Sequence, residues 1–301
     1  MNNIEFRNLI TQRHAIWPNS DDAQLIWKFT EYRNPLMPFR VFGCEMNGFG
    51  LTSIGYGTSW NRDEAIDKAF GEAWERLWLL KFNRSRPHEV PVTSSGFAAG
   101  LNLEESARAA RQEKIERAVL LFAWSEKFGW SKSHCHSLRS YPLIAYLKLI
   151  GWTTNFFLLQ SNMGAVRACL LRHKSKGAFF DSAFAQNFSN SDEKLILSVV
   201  KNVLAMKPTD AQNFPDVGVP LDHEIFYSLP SNLEAFEFLD SVSSRPETKI
   251  ELQSPQLLIA EAVVNEPRFP AVSRASHPDW PELSWGRQSI RGANRWPHPL
   301  A

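Results

Sequence analysis

Shifted by 41 residues, the sequence partly overlays itself. Thr52, Ser53, Gly55, Asn61, Glu64, Ala69, Glu72, Glu75, Arg76, Leu79 and Leu80 meet Thr93, Ser94, Gly96, Asn102, Glu105, Ala110, Glu113, Glu116, Arg117, Leu120 and Leu121. Eleven identities in 29 positions exceed chance for unrelated segments. A repeat of this kind restricts the fold strongly, because both copies must take the same local structure.

Each copy reads as a Gly-containing turn, an Asn at the helix N-cap and an amphipathic helix. In the first, Asn61 precedes acids in the first turn, and Ile66, Ala69, Phe70, Ala73, Leu77 and Leu80 follow helical spacing. Asn102 takes the same place in the second, and Pro87 and Pro91 separate the two helices. Glu72 and Glu75 share one face beside the apolar stripe, as do Glu113 and Glu116. One Glu–Arg set is an ordinary solvated ion pair. Two in register on largely apolar helices suggest converging carboxylates, and such a group needs neutralising by arginine or by a cation that favours oxygen, such as Mg²⁺. A fainter third copy, at a shift of 129, puts Ser182, Asn190, Asp192 and Glu193 on Ser53, Asn61, Asp63 and Glu64, with Lys201 and Leu204 at the two glutamate positions.

The rest of the chain excludes several classes. It has 301 residues, 44% hydrophobic and 12% aromatic, enough for a substantial core and too apolar for extensive disorder. A net charge of +1 offers no field for nucleic acid or an anionic membrane. Cys44, Cys135 and Cys169, odd in number and dispersed, argue against a disulfide framework and for a reducing, cytoplasmic setting. The opening MNNIEFRNLITQRH does not read as a signal peptide. The most apolar window, 141–159, is interrupted by Pro142, Lys148, Gly151 and Asn155 and reads as buried strands rather than a membrane span. Residues 155–172 read as strand, Asn-x-Gly turn, strand. His134-Cys135-His136 fits no usual zinc spacing and reads as loop or strand. Gly55-Tyr56-Gly57 lacks the ending of a P-loop. Residues 205–220 read as a connector and 265–301 as an extended Pro/Trp-rich tail, after a lead-in over 1–34.

The segments SIGYGTSWNRDEAIDKAFGEAWER and SSGFAAGLNLEESARAARQEKIER resemble the paired glutamate motifs of the YcaO domain family. The ending RWPHPLA resembles the Pro-rich terminus of its azoline-forming branch, which DHEIFYSLP and AFEFL also fit. The resemblance implies a single α/β domain over 1–301, with internally repeated strand–helix units around one ATP/Mg²⁺ pocket. It further implies that Glu72, Glu75, Glu113 and Glu116 hold metal, and that Arg76 and Arg117 with Glu72 and Glu113 meet ATP phosphates. Pro297, His298, Pro299 and Ala301 would line the catalytic centre. The implied activity is ATP-dependent cyclodehydration of a ribosomal precursor peptide to thiazolines or oxazolines. The implied partners are that peptide, a leader-binding protein and a flavin dehydrogenase. The chain departs from the family pattern at Lys68, where Ser is usual, at Lys201 and Leu204 in the third motif, and at Ala301 in place of the last proline. These departures raise an alternative, a catalytically degenerate scaffold or peptide-binding subunit.

Overall fold

A computed structural model describes residues 1–17, 24–33, 37–89, 91–205, 220–244, 248–285 and 292–300. The connector expected at 205–220 lies almost wholly outside these residues, as does Ala301. The chain forms two compact units, Met1–Lys114 with Gln256–Pro278, and Ile115–Pro255 with Asp279–Ala301.

In the first unit, helix α1 (Asn3–Thr11) precedes an antiparallel sheet of β1 (His14–Ile16), β2 (Gln24–Tyr32), β3 (Arg40–Gly48) and β4 (Leu51–Ser59), in sequential order. A two-residue loop joins β3 to β4, with Phe49 at φ 55° and Gly50 at φ 68°. Both residues are left-handed, as a type I′ hairpin requires. Helix α2 (Arg62–Arg84) follows. Asn61 Oδ1 accepts the N–H groups of Asp63 and Glu64, so the expected cap is present. Its buried stripe is Ala65, Ile66, Ala69, Phe70, Ala73, Trp74, Leu77 and Trp78, which packs with Trp17, Trp27, Phe97 and Phe269 in one core. Each large side chain there contributes about 1.5–3 kcal/mol of burial.

α2 lies unusually close to β4. A Cβ on Gly55 would fall 2.2 Å from the Ala73 nitrogen, and one on Gly57 would fall 1.9 Å from the Ala65 carbonyl oxygen. The Gly-x-Gly pair is therefore a mid-strand seat for a helix, not a phosphate loop. A three-stranded sheet completes this unit, with β10 (Ile259–Val264), β11 (Ala271–Ser276) and β5 (Phe97–Gly100) in the order β10-β11-β5. β11 lies inside the stretch that composition marks as tail; its short run of small residues, buried almost throughout, carries no signal in a Pro/Trp-rich context.

Helix α3 (Leu103–Glu126) begins in the first unit and continues in the second. Asn102 Oδ1 accepts the Glu105 N–H at 2.9 Å, repeating the Asn61 cap. The second unit contains the antiparallel sheet β6 (Trp130–Ser133), β7 (Thr153–Ser161), β8 (Gly164–His173) and β9 (Gly177–Phe184), with helices α4 (Tyr141–Leu149), α5 (Phe188–Ala205) and α6 (Pro220–Ser228). β7 and β8 are the expected strand–turn–strand. Residues 141–149 are helical where strand was expected: Pro142 sits in the first turn, where its missing N–H costs nothing, and Leu143 and Leu147 bury at helical spacing. Asn187 Oδ1 accepts the Asn190 N–H at 3.2 Å, and Asn190 lies inside α5. The cap thus falls three positions before the residue that the faint third copy aligns with Asn61.

Candidate functional site

The repeated glutamates lie on the flanks of α2 and α3, beside strand edges. On α2, the Glu72 carboxylate accepts the Tyr56 N–H at 2.6 Å and pairs with Arg76 Nη2 at 2.6 Å. Arg76 Nη1 also donates to the Ile54 carbonyl at 2.8 Å. Glu75, one turn along, accepts the Ala99 N–H of β5 at 3.2 Å. Burial raises the Glu75 carboxyl well above the usual range. Glu113 and then Glu72 add to the rise, against the opposing pull of the Ala99 N–H and Arg76. The first unit therefore brings Glu72, Glu75 and Glu113 within electrostatic reach of one another, with Arg76 among the groups that act on Glu75.

Glu116 belongs to the second unit and is buried. It accepts the Ser182 hydroxyl at 2.7 Å and the Phe184 N–H at 3.0 Å, and Arg117 Nη1 stands 3.5 Å from it. Glu75 and Glu116 are equivalent under the 41-residue shift, and each receives a backbone N–H from an edge strand, β5 or β9. Among the described residues, no group of three or more His, Cys, Asp or Glu side chains is preformed around a metal position. The strand N–H partners had no sequence signal, since a backbone donor exists at every residue and only sheet order reveals which ones lie at an edge.

The terminal segment is docked in the second unit rather than frayed. Pro297, His298, Pro299 and Leu300 are buried. The Tyr227 hydroxyl donates to the Pro297 carbonyl, His223 Nδ1 lies 2.7 Å from the His298 carbonyl, and His298 Nε2 lies 2.7 Å from the Ser284 carbonyl. Burial pushes the Tyr227 phenol well above its usual range.

The same unit holds a buried ion pair that sequence reading left out. Arg167 Nε and Nη2 grip Asp192 at 2.8 and 3.0 Å, and both side chains have no exposed surface. The His136 N–H donates to Asp192 at 2.7 Å, and Arg167 donates to the His134 carbonyl at 2.9 Å. The His-Cys-His segment is thus a loop pinned through its backbone. An open cleft of about 610 Å³ in this unit is lined by Gly151, Thr153, Arg172, His173, Lys174, Leu233, Glu237 and Asp240.

The sequence matches no protein-family model and no curated protein. The fold does find counterparts among solved structures. The YcaO protein of Methanopyrus kandleri, bound with AMPPCP and Mg²⁺, superposes with a TM-score of 0.59 over 83% of this chain and 84% of that one, at 13% identity. The fold is YcaO-like. A heterocyclase in complex with substrate and cofactor gives a TM-score of 0.63 at 10% identity over 86% of this chain, which spans about half (51%) of the heterocyclase chain. A chain of the E. coli microcin synthetase McbBCD complex gives 0.57 at 11% identity, over 89% of this chain and 91% of that one. Identities this low are identities of fold. The α/β YcaO-like architecture expected from the paired glutamates is therefore present. Among the described residues, no helix is long and apolar enough to cross a membrane.

Proposed function

We propose that this chain uses ATP and Mg²⁺ to activate backbone amides of a ribosomal precursor peptide, forming thiazoline or oxazoline rings within a multi-subunit complex. The observation that carries the reading is the Glu72–Glu75–Glu113 cluster, assembled from two repeated helices of a YcaO-like fold. Clustered carboxylates fit a hard, oxygen-seeking dication. A cation beside Glu75 would offset the burial and the repulsion from Glu113 and Glu72 that together raise its carboxyl. Arg76, and Arg117 on the equivalent turn, fit phosphate through their guanidinium forks.

The chemistry balances as follows. A Cys, Ser or Thr side chain of the peptide attacks the preceding amide carbonyl and gives up its proton. The resulting oxyanion takes the γ-phosphoryl group of ATP, releasing ADP, and phosphate leaves as the amide nitrogen loses its proton and the C=N bond forms. The chain's own contribution is to hold the nucleotide in place and to offset charge developing on phosphate. The docked Pro297–Pro299 segment would border the peptide, with the His298 imidazole as the group there able to carry a proton. The neighbour described as a McbBCD complex, also seen with pro-MccB17 bound, supports an assembly with partner proteins and a peptide substrate. A leader-binding protein and a flavin dehydrogenase fit that picture, in the cytoplasm.

One observation favours a second reading, a scaffold that has lost catalysis. Glu72, Glu75 and Glu116 each already serve a strand N–H, and Lys201 stands where an acidic ligand is usual. Calorimetric titration with AMPPNP separates the two. Binding that requires Mg²⁺ and disappears in Glu75→Ala and Glu113→Ala supports the enzyme; no binding at millimolar nucleotide refutes it and leaves the scaffold.

A further inference from the structure

His134-Cys135-His136 fits no usual zinc spacing, yet the fold brings its two imidazoles together. Side chains alternate along this segment. Cys135 is buried, and its thiol donates to the Ser137 carbonyl at 3.6 Å. The imidazoles on either side share the outer face, with ring centres 4.3 Å apart and 38° between the planes. Both residues are fixed through their backbones to one buried ion pair. Arg167 donates to the His134 carbonyl at 2.9 Å, and the His136 N–H donates to Asp192 at 2.7 Å. The Tyr141 hydroxyl holds the Cys135 carbonyl between them at 2.9 Å. The His136 ring is oriented as well, since Nδ1 lies 3.1 Å from Asp192 Oδ2. A carboxylate there favours the proton on Nδ1 and leaves the Nε2 lone pair on the far side of the ring. Arg167 Nη2, 3.4 Å from the same Nδ1, is already committed to Asp192 and to the His134 carbonyl. His134 is exposed, and its ring nitrogens make no hydrogen bond among the described residues.

We propose that His134 and His136 form a two-histidine site for a divalent transition metal that takes ligands at right angles, of the Cu²⁺ or Ni²⁺ kind, with water in the remaining positions. The ring separation carries the choice of metal. A metal–nitrogen bond of about 2.1 Å puts each ring centre about 3.2 Å from a shared ion, since the centre lies about 1.1 Å behind the nitrogen. Two such ligands at a right angle stand about 4.5 Å apart, centre to centre, and two at the tetrahedral angle about 5.2 Å. The observed 4.3 Å matches the right angle. Imidazole nitrogens suit Cu²⁺ and Ni²⁺, whereas Mg²⁺ and Ca²⁺ seek oxygen. Asp192 takes the place that carboxylates hold behind metal-bound imidazoles, and Arg167 cancels its charge. The shared anchorage means that neither backbone must be ordered when the ion arrives, which separates this pair from two loose surface histidines. The site is independent of the proposed nucleotide chemistry: its residues all belong to the second unit, and it takes a different class of ion.

Two measurements on the full chain, stripped with EDTA and desalted, test this. The first is electron paramagnetic resonance with one equivalent of CuCl₂. The parent should show superhyperfine coupling to two nitrogens. His134→Ala and His136→Ala, checked for folding by circular dichroism, should each show one nitrogen and bind Cu²⁺ at least about tenfold more weakly. His88→Ala, at an exposed histidine elsewhere, should leave spectrum and affinity unchanged. Ni²⁺ should bind at least as tightly as Zn²⁺, and excess MgCl₂ should displace neither. The second measurement needs no variant. One equivalent of Cu²⁺ should slow the reaction of His134 and His136 with diethyl pyrocarbonate at least about tenfold, read residue by residue from peptide masses. An unaltered spectrum in either folded variant, a change in His88→Ala, or no protection of the two histidines in the parent overturns the site. Zn²⁺ binding tenfold more tightly than Ni²⁺, or displacement by Mg²⁺, overturns the assignment of the ion.

Discussion

Replacing Gly57 with alanine tests the close seat of α2 on β4. The added methyl carbon would stand 1.9 Å from the Ala65 oxygen and 2.5 Å from the Ala69 nitrogen, both helix backbone atoms that cannot rotate aside. Ordinary contact begins near 3.4 Å, so α2 must retreat by about 1.5 Å, and overpacking of this kind costs about 3 kcal/mol. For a chain of this size that lowers the melting temperature by about 6–12 °C. The control is Gly71→Ala on the same helix, where nothing lies within 4 Å. There a mid-helix glycine gives way to the best helix former, a gain of about 0.5–1 kcal/mol and a rise of about 1–3 °C. Differential scanning fluorimetry of both variants beside the parent is sufficient. A Gly57→Ala protein melting within about 2 °C of the parent would refute the backbone-contact argument.

Other outcomes follow from single contacts. Glu75 has a folded pKa above its unfolded value of about 4.3, so its protonated form is favoured in the fold and stability falls as pH rises through the folded pKa. Glu75→Gln should therefore match the parent below about pH 4 and exceed it in urea unfolding at neutral pH; a gap that widens toward acid would refute the sign. Asp192→Asn leaves Arg167 buried without its counter-charge and should cost about 3–5 kcal/mol in the same assay. Tyr227→Phe removes the hydrogen bond to Pro297 and should cost about 1 kcal/mol while speeding proteolysis at the tail. The Cys44, Cys135 and Cys169 thiols are buried and raised, Cys44 to about 12, so none should react quickly with a disulfide reagent until the chain unfolds.

Much of the local architecture was legible in the residues. The Asn61 and Asn102 caps, the buried stripe of α2 apart from Leu80, which is exposed, and the β7–β8 hairpin depend on neighbours within a few positions, and periodicity and cap chemistry report such neighbours directly. The same logic misled at 141–149, where short apolar runs serve helix and strand alike, and burial rather than spacing decides. The faint third copy aligned Asn190 with the Asn61 cap, yet the cap falls on Asn187, because identity at a few positions does not set where a helix begins. The paired glutamates were visible as a pattern, and that pattern carried the YcaO-like fold. Their partners were not visible. Which backbone N–H groups meet Glu72, Glu75 and Glu116 depends on which strands end each sheet, and sheet order is set by pairings between distant residues. The reach of Glu113 toward Glu75, the seat of α2 on Gly55 and Gly57, and the burial of Arg167 with Asp192 are likewise long-range matters. The sequence determined which side chains stand on which helix face; only the tertiary structure decided what those faces meet, because hydrogen bonds and charge coupling depend on distances through space that sequence separation does not encode.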